Sequence, residues 1–254
     1  MILQTKQLTK RFGGLTAVNH VDFSIEKGKV NAIIGPNGAG KSTFFNLISG
    51  FHRPTSGEVL FKGVDIAKMP ANKIAELGIA RTFQTTNLFE QSTVLDNVMI
   101  GHRLRTKSNL LDAVFRTARH KREEKQCREK AFEMIEFVDL QKVADKEVAS
   151  LTQEEKKRTA FALALATDPE IVFLDEPAAG VNPDETEGLA ALMQKMVKKG
   201  ITVCLIEHKM QMIMKLADKI MVLNYGEKIA EGTPEEIRNN PAVIKAYLGG
   251  SAIA

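Results

Sequence analysis

The sequence of 254 residues contains no tryptophan, only two cysteines and few aromatic side chains. The cysteines, Cys127 and Cys204, are far apart, and no Cys-x-x-Cys or cysteine–histidine spacing indicates a zinc site. Cys204 lies in the apolar run 201–206, which predicts a position in the core. Two distant thiols exclude a disulfide-rich scaffold and are typical of a chain in a reducing compartment.

Long hydrophobic runs are also missing. No apolar stretch approaches the roughly 18 residues that a membrane-spanning helix needs. Residues 1–6 lack the apolar segment of a signal peptide. We therefore expect a cytoplasmic chain whose role at a membrane, if it has one, depends on a partner.

The excess of positive charge is confined to one segment. The net charge is +4, yet residues 103–130 hold ten Lys/Arg against four acidic residues. A uniformly basic nucleic-acid-binding protein would not show this distribution, so no nucleic-acid partner is expected. The segment is either a solvated helix face or a contact for anionic lipid or for a membrane subunit.

The order of apolar patterns predicts an α/β fold. Strands are predicted at 2–12, 21–25, 30–34, 171–174, 201–206 and 219–223, with an edge strand within 54–63 and a helical tail at the C-terminus. Helices are predicted over 41–49, 152–167 and 184–199. The helix at 152–167 ends a largely helical stretch that begins at about residue 88. This order indicates one parallel-sheet domain with a helical region inserted between two of its strands.

A phosphate-binding loop follows the strand at 30–34. The pattern G-x-x-x-x-G-K-[ST] is matched by Gly35, Pro36, Asn37, Gly38, Ala39, Gly40, Lys41, Ser42 and Thr43. Its glycines let backbone amides surround a phosphate chain at the N-terminus of a helix. The pattern predicts that Lys41 reaches the β- and γ-phosphates of ATP and that the Ser42 hydroxyl ligates Mg²⁺.

Two acidic residues end the apolar strand at 171–174. Asp175 is predicted to hold Mg²⁺, and Glu176 to orient and deprotonate the attacking water, because phosphoryl transfer depends on positioning and charge neutralisation. A Ras-type GTPase would need Asn-Lys-x-Asp, whereas the Asn-Lys pair at 72–73 continues as Ile-Ala. A small-molecule kinase would not need the long insertion between the two motifs.

The motif order resembles the ABC ATPase family over nearly the whole chain. The residues on which this resemblance rests are Phe12, the loop 35–43, Gln84, the pair Asp175-Glu176 and His208. The resemblance implies that Phe12 stacks on adenine, that Gln84 contacts Mg²⁺ or the lytic water, and that His208 holds the γ-phosphate. It also implies a RecA-like P-loop core, about 1–87 and 168–254, with an antiparallel β layer and a helical subdomain, about 88–167, in a single nucleotide-binding domain.

Three segments resemble the branched-chain amino-acid importers of this family: 81–84, 175–183 and the tail 232–249. The resemblance implies an ATPase on the inner face of the membrane that works with permease subunits, a second ATP-binding subunit and, indirectly, a substrate-binding protein. The lipopolysaccharide exporter ATPase shares the Tyr-Leu-Gly tail. A soluble ABC ATPase acting on nucleic acid or ribosomes, and a regulatory subunit that binds ATP without hydrolysis, also remain open.

One motif departs from the family pattern. Where the family has Leu-Ser-Gly-Gly-Gln, this sequence reads Leu151-Thr152-Gln153-Glu154-Glu155. Thr152 can supply a hydroxyl to the ATP of a partner subunit, as the family serine does. However, Thr152-x-x-Glu155 also predicts a capping box, which would occupy the first amides of the following helix. We therefore expect this signature to support closure of a dimer poorly.

Overall fold

The computed structural model describes residues 1–82, 88–108, 112, 114–115 and 117–248. The strands are β1 Leu3–Phe12, β2 Leu15–Ile25, β3 Val30–Ile34, β4 Ser56–Phe61, β5 Val64–Asp65, β6 Ile79–Thr82, β7 Ile171–Asp175, β8 Thr202–Ile206, β9 Lys219–Asn224 and β10 Glu227–Gly232. The helices are α1 Lys41–Ile48, α2 Ala71–Glu76, α3 Val94–His102, α4 Ala118–Phe137, α5 Gln153–Leu165, α6 Pro183–Lys198, α7 Met210–Leu216, α8 Pro234–Arg238 and α9 Pro241–Leu248.

Two sheets organise the fold. The larger has the order β10-β9-β3-β8-β7-β6, and its strands run parallel from β9 to β6, with β10 antiparallel at the edge. The smaller is antiparallel, with the order β2-β1-β4-β5. The carboxyl ends of β3, β7 and β8 therefore lie side by side at one edge of the larger sheet, which is where ligands bind in open parallel sheets.

The central strands are buried on both faces, as parallel strands covered on both sides should be. In β7, Phe173 belongs to the core shared with the antiparallel sheet and α1, while Val172 and Leu174 belong to the core shared with the helices. Phe173 meets Phe45 of α1 edge to face, with ring centroids 5.2 Å apart. This packing fixes α1, and thus the loop before it, against the end of β7.

The helices α3, α4 and α5 form the region inserted between β6 and β7. These two strands are parallel neighbours, with Ile79 opposite Ile171, so the chain leaves and re-enters the sheet at adjacent positions. Buried residues such as Val98, Ala131 and Phe161, one from each helix, belong to the same core cluster and pack the three helices together. The division into a core and a helical subdomain at 88 and 167 stays a prediction. Among the described residues, no helix has the length and apolar character that a membrane crossing requires.

Three strand predictions were incomplete. The expected last strand is followed by β10, which pairs with β9 through a tight turn where Tyr225 and Gly226 both have positive φ, 46° and 80°. β2 begins at Leu15 and not at Val21, because it pairs with β1 along almost its whole length. β6 was not predicted, since a four-residue strand has too little periodicity to be recognised.

Candidate nucleotide site

The predicted phosphate loop connects β3 to α1. Gly40 caps α1 with φ 93°, and a Cβ at this position would lie 2.3 Å from the carbonyl oxygen of Ala17. A Cβ at Gly35 would lie 2.1 Å from the carbonyl oxygen of Leu223. Both positions therefore require glycine. Because no side chain caps α1, its first amides are available to an anion, and the helix dipole favours negative charge there.

The Lys41 side chain points back into the phosphate loop that precedes α1. Its ammonium donates hydrogen bonds to the carbonyl oxygens of Gly35 and Pro36, at 2.7 and 2.9 Å, and the residue is buried. Burial lowers the pKa of Lys41, and the nearby charge of Glu176 opposes that shift. The lysine is thus held at the centre of the loop, close to the predicted base.

Asp175 ends β7 and is held by a cation from the neighbouring strand. Arg81 of β6 donates to its carboxylate at 3.0 Å, and also to the side chains of Asn46 and Ser49 in and after α1. Burial raises the pKa of Asp175, and Arg81 opposes this shift. The arginine therefore joins the end of β7 to α1, which begins with Lys41 and Ser42.

The oxygen donors here match the chemistry of a hard divalent cation. The Ser42 hydroxyl and the Asp175 carboxylate are the ligand types that Mg²⁺ prefers, and Mg²⁺ usually takes one or two protein ligands beside phosphate oxygens. Gln84, the third predicted ligand and a predicted catalytic residue, lies outside the described residues. The two described side chains fit the predicted ion.

Glu176 and His208 meet at the carboxyl edge of the sheet. Nε2 of His208 lies 3.0 Å from Oε1 of Glu176, and both side chains are partly accessible. The contact arises because β7 and β8 are parallel neighbours with Asp175 opposite Ile206. The residues that follow these strands therefore face each other. The structure thus brings together two residues that the sequence separates by 32 positions.

Glu176 and His208 line a cavity of about 520 Å³ together with the phosphate loop. It is lined by Leu15, Thr16, Ala17, Asn37, Gly38, Ala39, Gly40, Lys41, Ser42, Thr43, Glu176, His208, Tyr225 and Gly226. The start of β2 and the β9–β10 turn form part of its wall, and neither was predicted to do so. For the β9–β10 turn, the signal available in the sequence was a tyrosine followed by glycine, Tyr225-Gly226.

Phe12 is placed beside this cavity without lining it. It ends β1, opposite Leu15, and its ring meets His52 edge to face with centroids 6.1 Å apart. The side chain is exposed. Its stacking on adenine therefore stays a prediction.

The comparisons with known proteins agree with this geometry. Residues 18–179 match the family model described as ABC transporter. The chain belongs to the ABC transporter family. Residues 227–253 also match the model described as branched-chain amino acid ATP-binding cassette transporter. The predicted fold class and the predicted class of enzyme, an ABC ATPase, are confirmed.

Relatives and solved structures cover almost the whole cassette. The high-affinity branched-chain amino acid transport ATP-binding protein BraF of Pseudomonas aeruginosa is 43% identical, over 98% of each chain. A crystal structure of the ADP conformation of an ATP-binding cassette of an ABC transporter has a TM-score of 0.85 and 34% identity, over 98% of each chain. A dimeric cassette in a post-hydrolysis state, bound to ADP and Pi, has a TM-score of 0.77 and 25% identity, over 91% of this chain and 98% of the other.

The altered signature of this ABC cassette forms the predicted capping box at the start of α5. The Thr152 hydroxyl accepts the N–H of Glu155 at 3.2 Å, and the Glu155 carboxylate accepts the N–H of Thr152 at 2.8 Å. Glu154 is bound by Arg158 at 2.7 Å, one turn along the helix. α5 therefore satisfies donors at its own N-terminus, whereas α1 does not. The role of Thr152 toward the ATP of a partner stays a prediction.

Lys157, in the next turn of α5, was not predicted as a site residue. It is buried, and burial lowers its pKa, while the charges of Glu207, Glu176 and Asp175 oppose the shift. A cation from the helical region therefore lies near the carboxylates at the ends of β7 and β8.

Proposed function

We propose that this chain is the ATP-hydrolysing subunit of an importer of branched-chain amino acids. The observation that carries the hydrolytic part is the 3.0 Å contact between Glu176 and His208, in a cavity lined by the phosphate loop. A carboxylate at this position can accept a proton from water, and an imidazole beside it can donate a hydrogen bond to a phosphate oxygen.

Residues 35–43 would bind the phosphates of ATP. Their backbone amides and the N-terminus of α1 offer donors, and Lys41 supplies a compact positive charge. On binding, the Lys41 ammonium would exchange its two carbonyl partners in the loop for phosphate oxygens. Ser42, Asp175 and Gln84 would hold Mg²⁺, which neutralises phosphate charge when it is bound.

Glu176 would then act on the lytic water. Its carboxylate orients the water and takes up its proton, while the single Nε2–H of His208, which faces this carboxylate, would turn to an oxygen of the γ-phosphate when ATP binds. Positioning and charge account for the whole reaction, as in other phosphoryl transfers.

The transported substrate and the partners are proposed from the relatives. BraF is a branched-chain amino acid transport protein by name, and the match at 227–253 concerns the same class. By this likeness the chain would sit on the inner face of the membrane, beneath permease subunits that a binding protein supplies with substrate. A dimeric relative supports a pair of cassettes. In the proposed pair the two cassettes lie head to tail, with ATP held between the loop of one and the signature of the other.

The test uses the complex that co-purifies with the tagged chain. Glu176→Gln should keep ATP binding and lose most turnover at this chain's site, because only the proton acceptor changes. Lys41→Ala should lose ATP binding itself. Uptake of labelled leucine into vesicles should fall with both variants. If Glu176→Gln complexes hydrolysed ATP as fast as wild type, the assignment of the base would be wrong, and unaffected leucine uptake would exclude the proposed substrate.

A further inference from the structure

The turn that carries the proposed base is strained. Glu176 has φ 47°, a left-handed conformation that residues with a Cβ rarely adopt. Such a conformation persists only where its surroundings hold it. The Glu176 N–H donates to the carbonyl of Ile206 at 3.0 Å, and the N–H of Ala179 closes the turn on the Glu176 carbonyl at 3.0 Å. The end of β8 therefore supports one side of this turn.

A second support comes from Glu207, the residue between β8 and His208. It is one of the few buried charged residues in the described chain, with 3% of its surface exposed. One carboxylate oxygen accepts the N–H of Ala178 at 2.7 Å. The other accepts the N–H groups of His208 and Lys209, at 2.9 and 3.2 Å. A single carboxylate thus joins the turn after Glu176 to the backbone of His208.

Lys209 extends the same connection on the other side of His208. Its ammonium donates to the carbonyl of Val181 at 3.1 Å and to the hydroxyl of Thr186 at 2.9 Å. Val181 lies near the end of the loop that leads from Glu176 to α6, and Thr186 lies in the first turn of α6. The loop is therefore fixed to the turn at 207–209 at both of its ends.

We propose that Glu207 and Lys209 are positioning residues that set the distance between Glu176 and His208. This inference rests on the proposed hydrolytic function. Neither side chain lines the cavity with the phosphate loop, so they act through the backbone on which the base and the histidine stand. Of the two, Glu207 has the larger effect, because it is buried and holds both segments at once.

The variants follow from this geometry. Glu207→Gln keeps the shape but leaves one acceptor oxygen, so its NH₂ group must face one of the N–H donors. A displacement of the base by a fraction of an ångström should lower kcat about 10- to 100-fold. The ATP dissociation constant should change by less than about threefold, because the phosphate loop is untouched. Lys209→Met, which keeps the length of the stem, should lower kcat less than Glu207→Gln does.

The controls separate positioning from general stability. Asp218→Asn also removes a carboxylate that accepts a backbone N–H, from Val30 at 2.8 Å, but at the opposite end of the same sheet. It should leave kcat within about threefold of wild type at a comparable loss of Tm. In a Glu176→Gln background, adding Glu207→Gln should cause no further loss of rate, because residues that act as a unit are not additive.

Turnover is measured in the co-purified complex, as the difference between wild type and Glu176→Gln. If Glu207→Gln keeps full turnover while Glu176→Gln loses it, the positioning role is wrong and the proposed function stands. If Glu176→Gln itself keeps full turnover, the proposed function fails. A fall of kcat in Glu207→Gln that is matched by weaker ATP binding, or by an equal fall in Asp218→Asn, also overturns the inference.

Discussion

Restoring a glycine signature should strengthen ATP-driven dimerisation of this chain. The variant carries Gln153→Gly, Glu154→Gly and Glu155→Gln in a Glu176→Gln background, which prevents turnover from dissolving the dimer. In the present sequence the Thr152 hydroxyl accepts the N–H of Glu155, so one first-turn donor of α5 is already used. The restored sequence keeps this capping box, since glutamine serves at its fourth position as glutamate does, but its two glycines let the backbone amides at 153 and 154 approach a phosphate closely.

The magnitude follows from the hydrogen bond that is gained. A hydrogen bond to a charged group contributes about 1.5–3 kcal/mol, which corresponds to roughly 10- to 150-fold in the dimerisation constant for each signature. The two glycines cost about 0.5–1 kcal/mol each in a helix, but this cost falls on monomer and dimer alike. Like charge near ATP would add on the order of 4 kcal/mol per pair at ~4 Å. The structure reduces this contribution, because Glu154 is paired with Arg158 and Glu155 accepts the N–H of Thr152.

Sedimentation velocity with and without ATP, over a range of protein concentrations, measures the dimerisation constant. The matched control is Glu236→Gln, which makes the same glutamate-to-glutamine change in a second Thr-x-x-Glu capping box, at the start of α8. That variant should dimerise as the parent does. If the restored signature dimerises no better than the parent, the altered signature is tolerated and the reasoning from the missing glycines is wrong.

Two further predictions concern the basic region. The side-chain hydrogen bond from Ser108 holds the pKa of Glu123 at about 2, below its usual 4.5. The ionised Glu123 therefore stabilises the folded chain above about pH 4.5, and this contribution is lost as the pH falls toward 2. Glu123→Gln should therefore lower the Tm at pH 7, with a difference from wild type that shrinks on acidification, and a difference independent of pH would contradict this. Charge reversal at the exposed Lys121, Arg122 and Lys125 of α4 should weaken binding of the chain to anionic vesicles, but not to zwitterionic vesicles, at low salt. The reason is that each basic residue near an anionic surface contributes about 1 kcal/mol. Unchanged binding to anionic vesicles would mean that this helix face is only solvated.

The site features that the sequence predicted are local ones. The loop 35–43 combines its glycines, its lysine and its hydroxyls within nine residues, between a strand and a helix, so its geometry follows from neighbouring residues. The pair at the end of β7 is local in the same sense. His208 needed the family resemblance, because its contact with Glu176 depends on which strands are neighbours.

The residues that were missed depend on contacts between distant segments. Arg81 reaches Asp175 only because β6 lies beside β7, although 94 positions separate the two residues. Glu207 reads in the sequence as an ordinary acid at a strand end, and its burial depends on the turn after Glu176 packing above it. No periodicity or motif carries such information, because it arises from the order of strands in the sheet.

The contrast between two helix N-termini has a consequence for how this cassette works. α1 begins at a glycine cap that leaves its amides available, while α5 begins with a capping box that uses one of its first-turn amides and lacks the two glycines of the family signature. In a head-to-tail pair each ATP would lie between the α1 of one chain and the α5 of the other. A pair of identical chains would then hold ATP firmly on one side of each site and weakly on the other. A partner with a glycine signature would complete the site built on this chain's loop, whereas the opposite site would stay weak. We therefore expect one strongly hydrolysing site per transporter, with Glu176 as its base.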